Sequence, residues 1–347
     1  MRRGDGRWLA LGLVGLLAGG SLFALGQARQ APLPALLCED YSGLPPARQG
    51  EARQGMIRLE GSGFTLGSDR WYPEERPARR ASVDGFWIDR HPVTNAQFAA
   101  FVAATGYLTR AERGLPAEAL EGLPPAAARP GSLVFGRDPA DPGWRFVPGA
   151  HWRQPEGPGS DIGERMHHPV VHVTYEDAKA YAEWAGRTLP TEAQLEYAAR
   201  GGLEDADFAW GAPPPEVAAE VAAVANTWQG TFPLRDLGAD GYRGTSPVGC
   251  YPGNGYELFD MGGNVWELTR TWYRPGHEPE PGHNPQGPDS SLDPRDPGMP
   301  VKVIKGGSHL CSPDYCLRYR PSARQPQLLY LGSSHIGFRT VSDTPPE

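Results

Sequence analysis

Cysteine is scarce: the 347 residues include four, too few for a disulfide-held scaffold. Positive charge is also short. The 33 Lys and Arg stand against 41 Asp and Glu, a net charge of −8, which argues against a nucleic-acid partner. No internal repeat, P-loop, Gly-x-Gly-x-x-Gly or Gly-x-Ser-x-Gly element occurs, and the glycine pairs lie outside any strand–loop–helix pattern that would cradle phosphate. The histidines of His167-His168-Pro169-Val170-Val171-His172-Val173 have no acidic ligand at metal spacing. Alternation sets His168 and His172 opposite Val171 and Val173, which favours packing over metal binding.

Glycine and proline are abundant, 45 and 37 residues, and this nears low-complexity composition. Ten Trp, thirteen Tyr and eleven Phe are spread throughout, which disordered chains lack. The expectation is an α+β protein rich in ordered loops, with little regular secondary structure. Arg2, Arg3 and Arg7 precede the apolar run Trp8–Leu25. That order reads as a signal peptide or signal anchor over residues 1–28, and it places the rest of the chain outside the cytoplasm, periplasmic or extracellular. Residues 29–54 read as a linker, and the folded domain spans 55–343.

Within it, Met56-Ile57-Arg58-Leu59, Phe64-Thr65-Leu66-Gly67 and Val83–Ile88 read as strands. Thr94 caps a helix over Asn95–Thr105 that buries Phe98, Phe101 and Val102 and ends at Gly106. Residues 110–165 read as an ordered loop region, interrupted by Val134-Phe135 and Trp144-Arg145-Phe146-Val147. Thr174 caps a second helix, with Glu176 and Asp177 in its first turn favouring the dipole. A third opens at Thr191, where Thr191-Glu192-Ala193-Gln194 has capping-box spacing, and ends near Gly201.

Chemistry concentrates near the end of the chain. Cys311 and Cys316 lie between Gly306-Gly307 and Arg318-Tyr319-Arg320. Five residues turn about 500° on a helix, so these thiols share no helix face. Pro313 disfavours a helix through Ser312, whereas a turn brings both sulfurs together. Converging thiolates suit Cu(I), Zn or a redox disulfide, and no second Cys-x-x-Cys completes a Zn ribbon. Spacing alone leaves a short-loop disulfide, a metal site and two unrelated thiols open. Glycine-hinged loops also carry Asn226, Asp240, Asp260, Asn264 and Glu267. Such oxygen ligands suit Ca²⁺, although the spacing is not that of an EF-hand. Asx hydrogen bonds within turns are the alternative.

Six stretches resemble the formylglycine-generating enzymes, or sulfatase-modifying factors: GSGFTLGS, VDGFWIDRHPVTNAQFAAFVAATGY, HHPVVHVTYEDAKAYAEWAGRTLPTEAQLEYAARGG, NTWQGTFP, NGYELFDMGGNVWELTRTWY and KGGSHLCSPDYCLRYRPSARQPQ…SHIGFR. They cover Met56 to Val341. The resemblance implies the sulfatase-modifying-factor fold, with a core related to C-type lectins. It implies oxidation of a cysteine in a Cys-x-Pro-x-Arg segment of an unfolded sulfatase to Cα-formylglycine, with O₂ as co-substrate. It implies Cu(I) held by Cys311 and Cys316, with Ser308 and Trp266 beside the metal and oxygen. It also implies two calcium sites. One uses Asn226 and Asp240 with the carbonyls of Thr227 and Tyr242, the other Asp260 and Glu267 with the carbonyls of Gly263 and Val265. Apart from the resemblance, the expectation is a monomer, with membrane anchoring by its N-terminal segment an option.

The wider superfamily shares WAGRTLPTEAQLEYAARGG, GGNVWE and GFR but often lacks the cysteine pair, so Cys311 and Cys316 carry the decision. The rivals are a non-catalytic sulfatase-modifying-factor-like binding protein and a thiol–disulfide oxidoreductase using the same two cysteines. Eukaryotic members have extra structural cysteines, and Pro321 stands where one would be expected. Cys38 and Cys250 match no family pair. Structural disulfides are therefore not expected, a Cys38–Cys250 link in an oxidising compartment being the alternative.

Overall fold

The computed structural model describes residues 55–120, 124–204, 206–211, 221–222, 224–277 and 282–343. The expected signal segment and the linker lie outside them. No helix among the described residues is long and apolar enough to cross a membrane.

Strand β1 (Met56–Leu59) is followed by β2 (Gly63–Leu66), β3 (Arg79–Ser82) and β4 (Phe86–Asp89). The single strand expected over Val83–Ile88 is thus two features. Phe86–Asp89 pairs with β1, Ile57 opposite Ile88, and Val83-Asp84-Gly85 is the turn before it. Strand β3, Arg-Arg-Ala-Ser, lacks an apolar face and forms only through pairing with β2. Helix α1 (Asn95–Thr105) has the expected bounds. Thr94 Oγ1 accepts from the Gln97 N–H, the Gln97 side chain returns to the Thr94 N–H, and Gly106 ends the helix at φ 67°.

A short helix α2 (Arg110–Arg113) precedes the hairpin β5 (Gly131–Gly136) and β6 (Gly143–Pro148), which orders the loop-like region. Helices α3 (Tyr175–Trp184) and α4 (Glu192–Arg200) both open on capping boxes, at Thr174 and Thr191. Strands β7 (Trp266–Trp272), β8 (Val301–Lys305), β9 (Arg324–Leu328) and β10 (Ile336–Gly337) form a sheet in the order β10-β7-β8-β9, and β11 (Val341–Ser342) joins β4.

One apolar cluster gathers Phe98, Phe101, Trp152, Tyr181 and Phe338 and reaches Trp266, Cys311 and Cys316. Another lies under α4, around Phe64, Phe86 and Tyr197. Buried ion pairs tie distant loops where ladders are few: Glu75 to Arg320, Glu192 to Arg324, Glu267 to Arg339, and Glu196 to Lys305 and Arg200. The fold is the expected α+β type with little regular secondary structure.

Candidate active site

Strand β8 aims the thiol segment. Its last residue, Lys305, is buried with Nζ 2.8 Å from Glu196. Gly306 and Gly307 follow at φ 94° and 71°, and a Cβ on Gly307 would lie 2.8 Å from the Arg318 carbonyl oxygen. Only glycine lets the chain leave the sheet there. The Cys311 N–H donates to the Ser308 carbonyl at 2.8 Å, and the Cys316 N–H donates to the Ser312 carbonyl at 2.8 Å. That single turn, through Pro313, sets the two Sγ atoms 3.2 Å apart. Neither is oxidised, and a disulfide bond would need about 2.05 Å. The sulfurs converge on one turn, so the reading of two unrelated thiols gives way.

The two sulfurs are not equivalent. The neighbouring Cys311 thiol and the Arg318 guanidinium bring Cys316 down to about 7, whereas burial and the Cys316 sulfur push Cys311 up. Arg318 Nη1 lies 3.9 Å from Cys316 Sγ, its Nη2 is 2.6 Å from Glu74, and it stacks over Tyr72 at 3.7 Å. Cys316 is 9% exposed and Cys311 2%.

Ser308 is buried. Its Oγ accepts from the Leu310 N–H at 3.2 Å and lies 3.1 Å from His335 Nδ1. It therefore both caps the turn and faces a polar partner. Burial holds His335 at about 3, so the ring is neutral. Trp266 opens β7 in the same apolar cluster as both cysteines, and its N–H donates to the His335 carbonyl at 2.9 Å. An aromatic crescent runs around this group. Tyr315, 66% exposed, stacks on Phe232 at 4.3 Å. Phe232 stacks on Phe135 at 5.5 Å, Phe135 meets Trp144 edge-on at 5.3 Å, and Trp144 meets His335 at 4.7 Å.

Sequence reasoning missed His335, Glu74 and the crescent. His335 sits one residue before the two-residue strand β10, and Glu74 is 244 positions from Arg318, so neither gave a signal.

The first oxygen set is partly assembled. Asp240 accepts from the Tyr242 N–H at 2.9 Å, the Thr227 N–H at 3.2 Å and Gln229 Nε2 at 3.0 Å. Gln229 Nε2 also donates to the Thr227 carbonyl, so one amide bridges two of the expected ligands. Asn226 Nδ2 donates to the Gly244 carbonyl at 2.9 Å. Burial pushes Asp240 up to about 6.

In the second set, burial raises both Asp260 and Glu267, and the Asp260 charge adds to the rise at Glu267. Arg339 bonds both Glu267 oxygens, at 2.6 and 2.7 Å. Asp260 accepts from the Gly249 N–H and from Asn264 Nδ2. Gly263, at φ 88°, packs where a Cβ would lie 2.4 Å from the Asn226 carbonyl oxygen, and this joins the two loops. Val265 is buried between them and the sheet.

Glu192, Glu196 and His277 also converge, but Lys305, Arg324 and Arg200 already neutralise the carboxylates, so they belong to the scaffold. His168 Nδ1 bonds Thr245 Oγ1, and His172 Nε2 bonds the Pro155 carbonyl, each in a packing role. The alternation argument does not hold, because His172 turns at φ 61°. Cys250 is buried and disulfide-bonded, which corrects the expectation of no structural disulfide. Cys38 lies outside the described residues.

Residues 41–344 match the family model described as sulfatase-modifying factor enzyme 1-like domain. The formylglycine-generating enzyme of Mycobacterium tuberculosis is 50% identical over 83% of this chain and 97% of its own length. That of Mus musculus is 41% identical over 94% of this chain and 82% of its own. The inactive Cα-formylglycine-generating enzyme 2 of Mus musculus is 36% identical over 89% and 93%. Among solved structures, PvdO from Pseudomonas aeruginosa superposes with a TM-score of 0.58 at 24% identity, over 83% of this chain and 94% of its own, and shares the fold. The chain belongs to the sulfatase-modifying-factor family, which includes the formylglycine-generating enzymes.

Proposed function

We propose that the protein oxidises a cysteine in a Cys-x-Pro-x-Arg segment of an unfolded sulfatase to Cα-formylglycine, using O₂. The observation that carries this reading is the pair of unoxidised thiols, 3.2 Å apart on one turn, with Cys316 brought to about 7. Relatives named formylglycine-generating enzymes support it. Two sulfurs without a carboxylate between them are a soft donor set and fit Cu(I) better than Zn or Ca²⁺. Cys311 and Cys316 would hold the ion, which when bound supplies the one-electron chemistry that O₂ requires.

The chain's own residues do the rest. Arg318 favours the Cys316 thiolate and is itself fixed by Glu74. The crescent from Tyr315 to Trp144 offers stacking surfaces to the substrate's proline, and Asp314, exposed on the same turn, offers a carboxylate to its arginine. Neutral His335 orients the Ser308 hydroxyl, and Trp266 closes the inner wall. Two electrons and two protons leave the substrate's Cβ–S unit and give a thioaldehyde. O₂ takes them up as hydrogen peroxide, or is carried on to two waters when two thiols, joining as a disulfide, supply two more of each. Water then replaces sulfur, which departs as H₂S and leaves the aldehyde.

Two calcium ions would pin the loops, one through Asn226, Asp240 and the carbonyls of Thr227 and Tyr242, the other through Asp260, Glu267 and the carbonyls of Gly263 and Val265. Asp240 and Asp260, raised by burial, gain most from such an ion, whereas Glu267 would share its charge between the ion and Arg339. Arg2, Arg3 and Arg7 before Trp8–Leu25 would carry the domain out of the cytoplasm. A reporter fused after the linker and active only in the cytoplasm would contradict that placement.

Titration of the reduced protein with Cu(I) against a competing chelator tests the site. One tight equivalent, lost in Cys311→Ser and in Cys316→Ser, is expected. No binding would leave a non-catalytic binding protein, and turnover of generic dithiols without copper would leave a thiol–disulfide oxidoreductase.

A further inference from the structure

A cavity of about 640 Å³ lies between the β5–β6 hairpin, the 152–169 segment and the 242–245 loop, and the thiol chemistry does not use it. Its volume suits a small-molecule site. The walls are apolar, with Val134, Val147, Trp152 and Ile162 among them. Arg137, Arg145, Arg165 and Arg243 also line it, against one carboxylate, Glu156. In a chain of net charge −8 this is a local reversal of sign.

The counter-charges are incomplete. Arg165 pairs with Glu156, Arg145 with Asp141 and Arg137 with Asp236. Arg243 has no ion pair among the described residues, and its charge acts unfavourably on Arg137. Arg137 Nη2 and Trp152 Nε1 are buried hydrogen-bond donors without a partner, and Trp152 is 1% exposed. Solvent does not reach these two donors, and the guanidinium of Arg243 is left facing that of Arg137 without a carboxylate of its own among the described residues.

We propose that this cavity binds a small organic anion, its ring body against Trp152 and Ile162 and its carboxylate, sulfate or sulfonate head between Arg137 and Arg243. An anion supplies the missing counter-charge, while the apolar body covers the walls. The cavity meets the thiol region through Phe135 of the crescent, His309, next to Ser308, and Ser334, next to His335, and none of Arg137, Arg243, Trp152 and Ile162, which would hold the anion, belongs to the thiol site. The site therefore stands independently of the copper reading.

Calorimetry of the full protein, with calcium present and no copper added, and naphthalene-2-sulfonate as ligand tests it, with 2-naphthol and inorganic sulfate as probes that each lack one half of the ligand. The sulfonate should bind one to one, and each control about tenfold or more weaker. Arg243→Gln should weaken binding about tenfold by removing a charged donor. Trp152→Phe, which keeps an aromatic wall but a smaller one, should weaken it less. Glu156→Gln should strengthen it, because the one carboxylate lining the cavity disappears. Arg243 and Glu156 are both exposed, so these two variants should fold, and circular dichroism checks this. Absence of sulfonate binding at millimolar concentration, equal affinity for 2-naphthol, or Arg243→Gln and Glu156→Gln both indistinguishable from the unsubstituted protein would overturn the proposal.

Discussion

Cys316 gains its character from neighbours that local sequence only partly displays. Arg318 is two positions away and legible, whereas Glu74, which fixes Arg318, arrives from the start of the domain. The thiol pair itself was legible as one of several readings, because Pro313 disfavours a helix and a turn in its place lets the sulfurs converge. His335 was not, because a lone histidine beside Ile336-Gly337 carries no pattern of its own. Cys311→Ser and Cys316→Ser should each abolish aldehyde formation while the melting temperature changes little, since serine is nearly isosteric but lacks the soft sulfur. Cys250→Ser should behave in the opposite way. It should lower stability by roughly 2–4 kcal/mol, as expected for a lost disulfide, and keep Cu(I) affinity unchanged. Urea melts and copper titrations on the same samples separate the two patterns.

Helices were the readable elements. Thr94, Thr174 and Thr191 each place a hydroxyl where an N-cap must be, and all three form capping boxes. Strands were less readable, because β3 and the two-residue β10 and β11 exist only through their partners. The link from α4 to the thiol turn is a buried charge network that no periodicity reveals. Lys305 Nζ sits 2.8 Å from Glu196 and 3.5 Å from Glu192, immediately before the glycines that turn toward Ser308. Lys305→Met should therefore cost about 3–5 kcal/mol, the scale for breaking a buried ion pair. Thr191→Ala, which removes only the cap, should cost about 1 kcal/mol. Equal effects in urea denaturation would show that the network does not hold β8 and α4 together.

At the scale of the molecule, buried histidines set the acid limit. His91, His168 and His172 are each lowered to about 4, chiefly by burial. The unfolded chain binds a proton at each near 6.5, so the stability they contribute is present above 6.5 and lost as pH falls toward 4. Urea midpoints should drop over that window, and His172→Gln should flatten the drop. Calcium should act from the other side. Binding to the folded state alone raises the melting temperature by mass action, and Asp240→Ala and Glu267→Ala should each remove the part due to their own site. Equal melting temperatures in calcium and in chelator would remove the calcium assignment. The most direct test of the whole account is to incubate the reduced, copper-loaded protein with a Cys-x-Pro-x-Arg peptide and O₂ and to read the peptide by mass spectrometry. The account predicts replacement of the cysteine sulfur by an aldehyde oxygen, abolished by a Cu(I) chelator and by either serine substitution. Full turnover by Cys311→Ser or Cys316→Ser at equal copper, or an unmodified peptide with fully loaded protein, would contradict it.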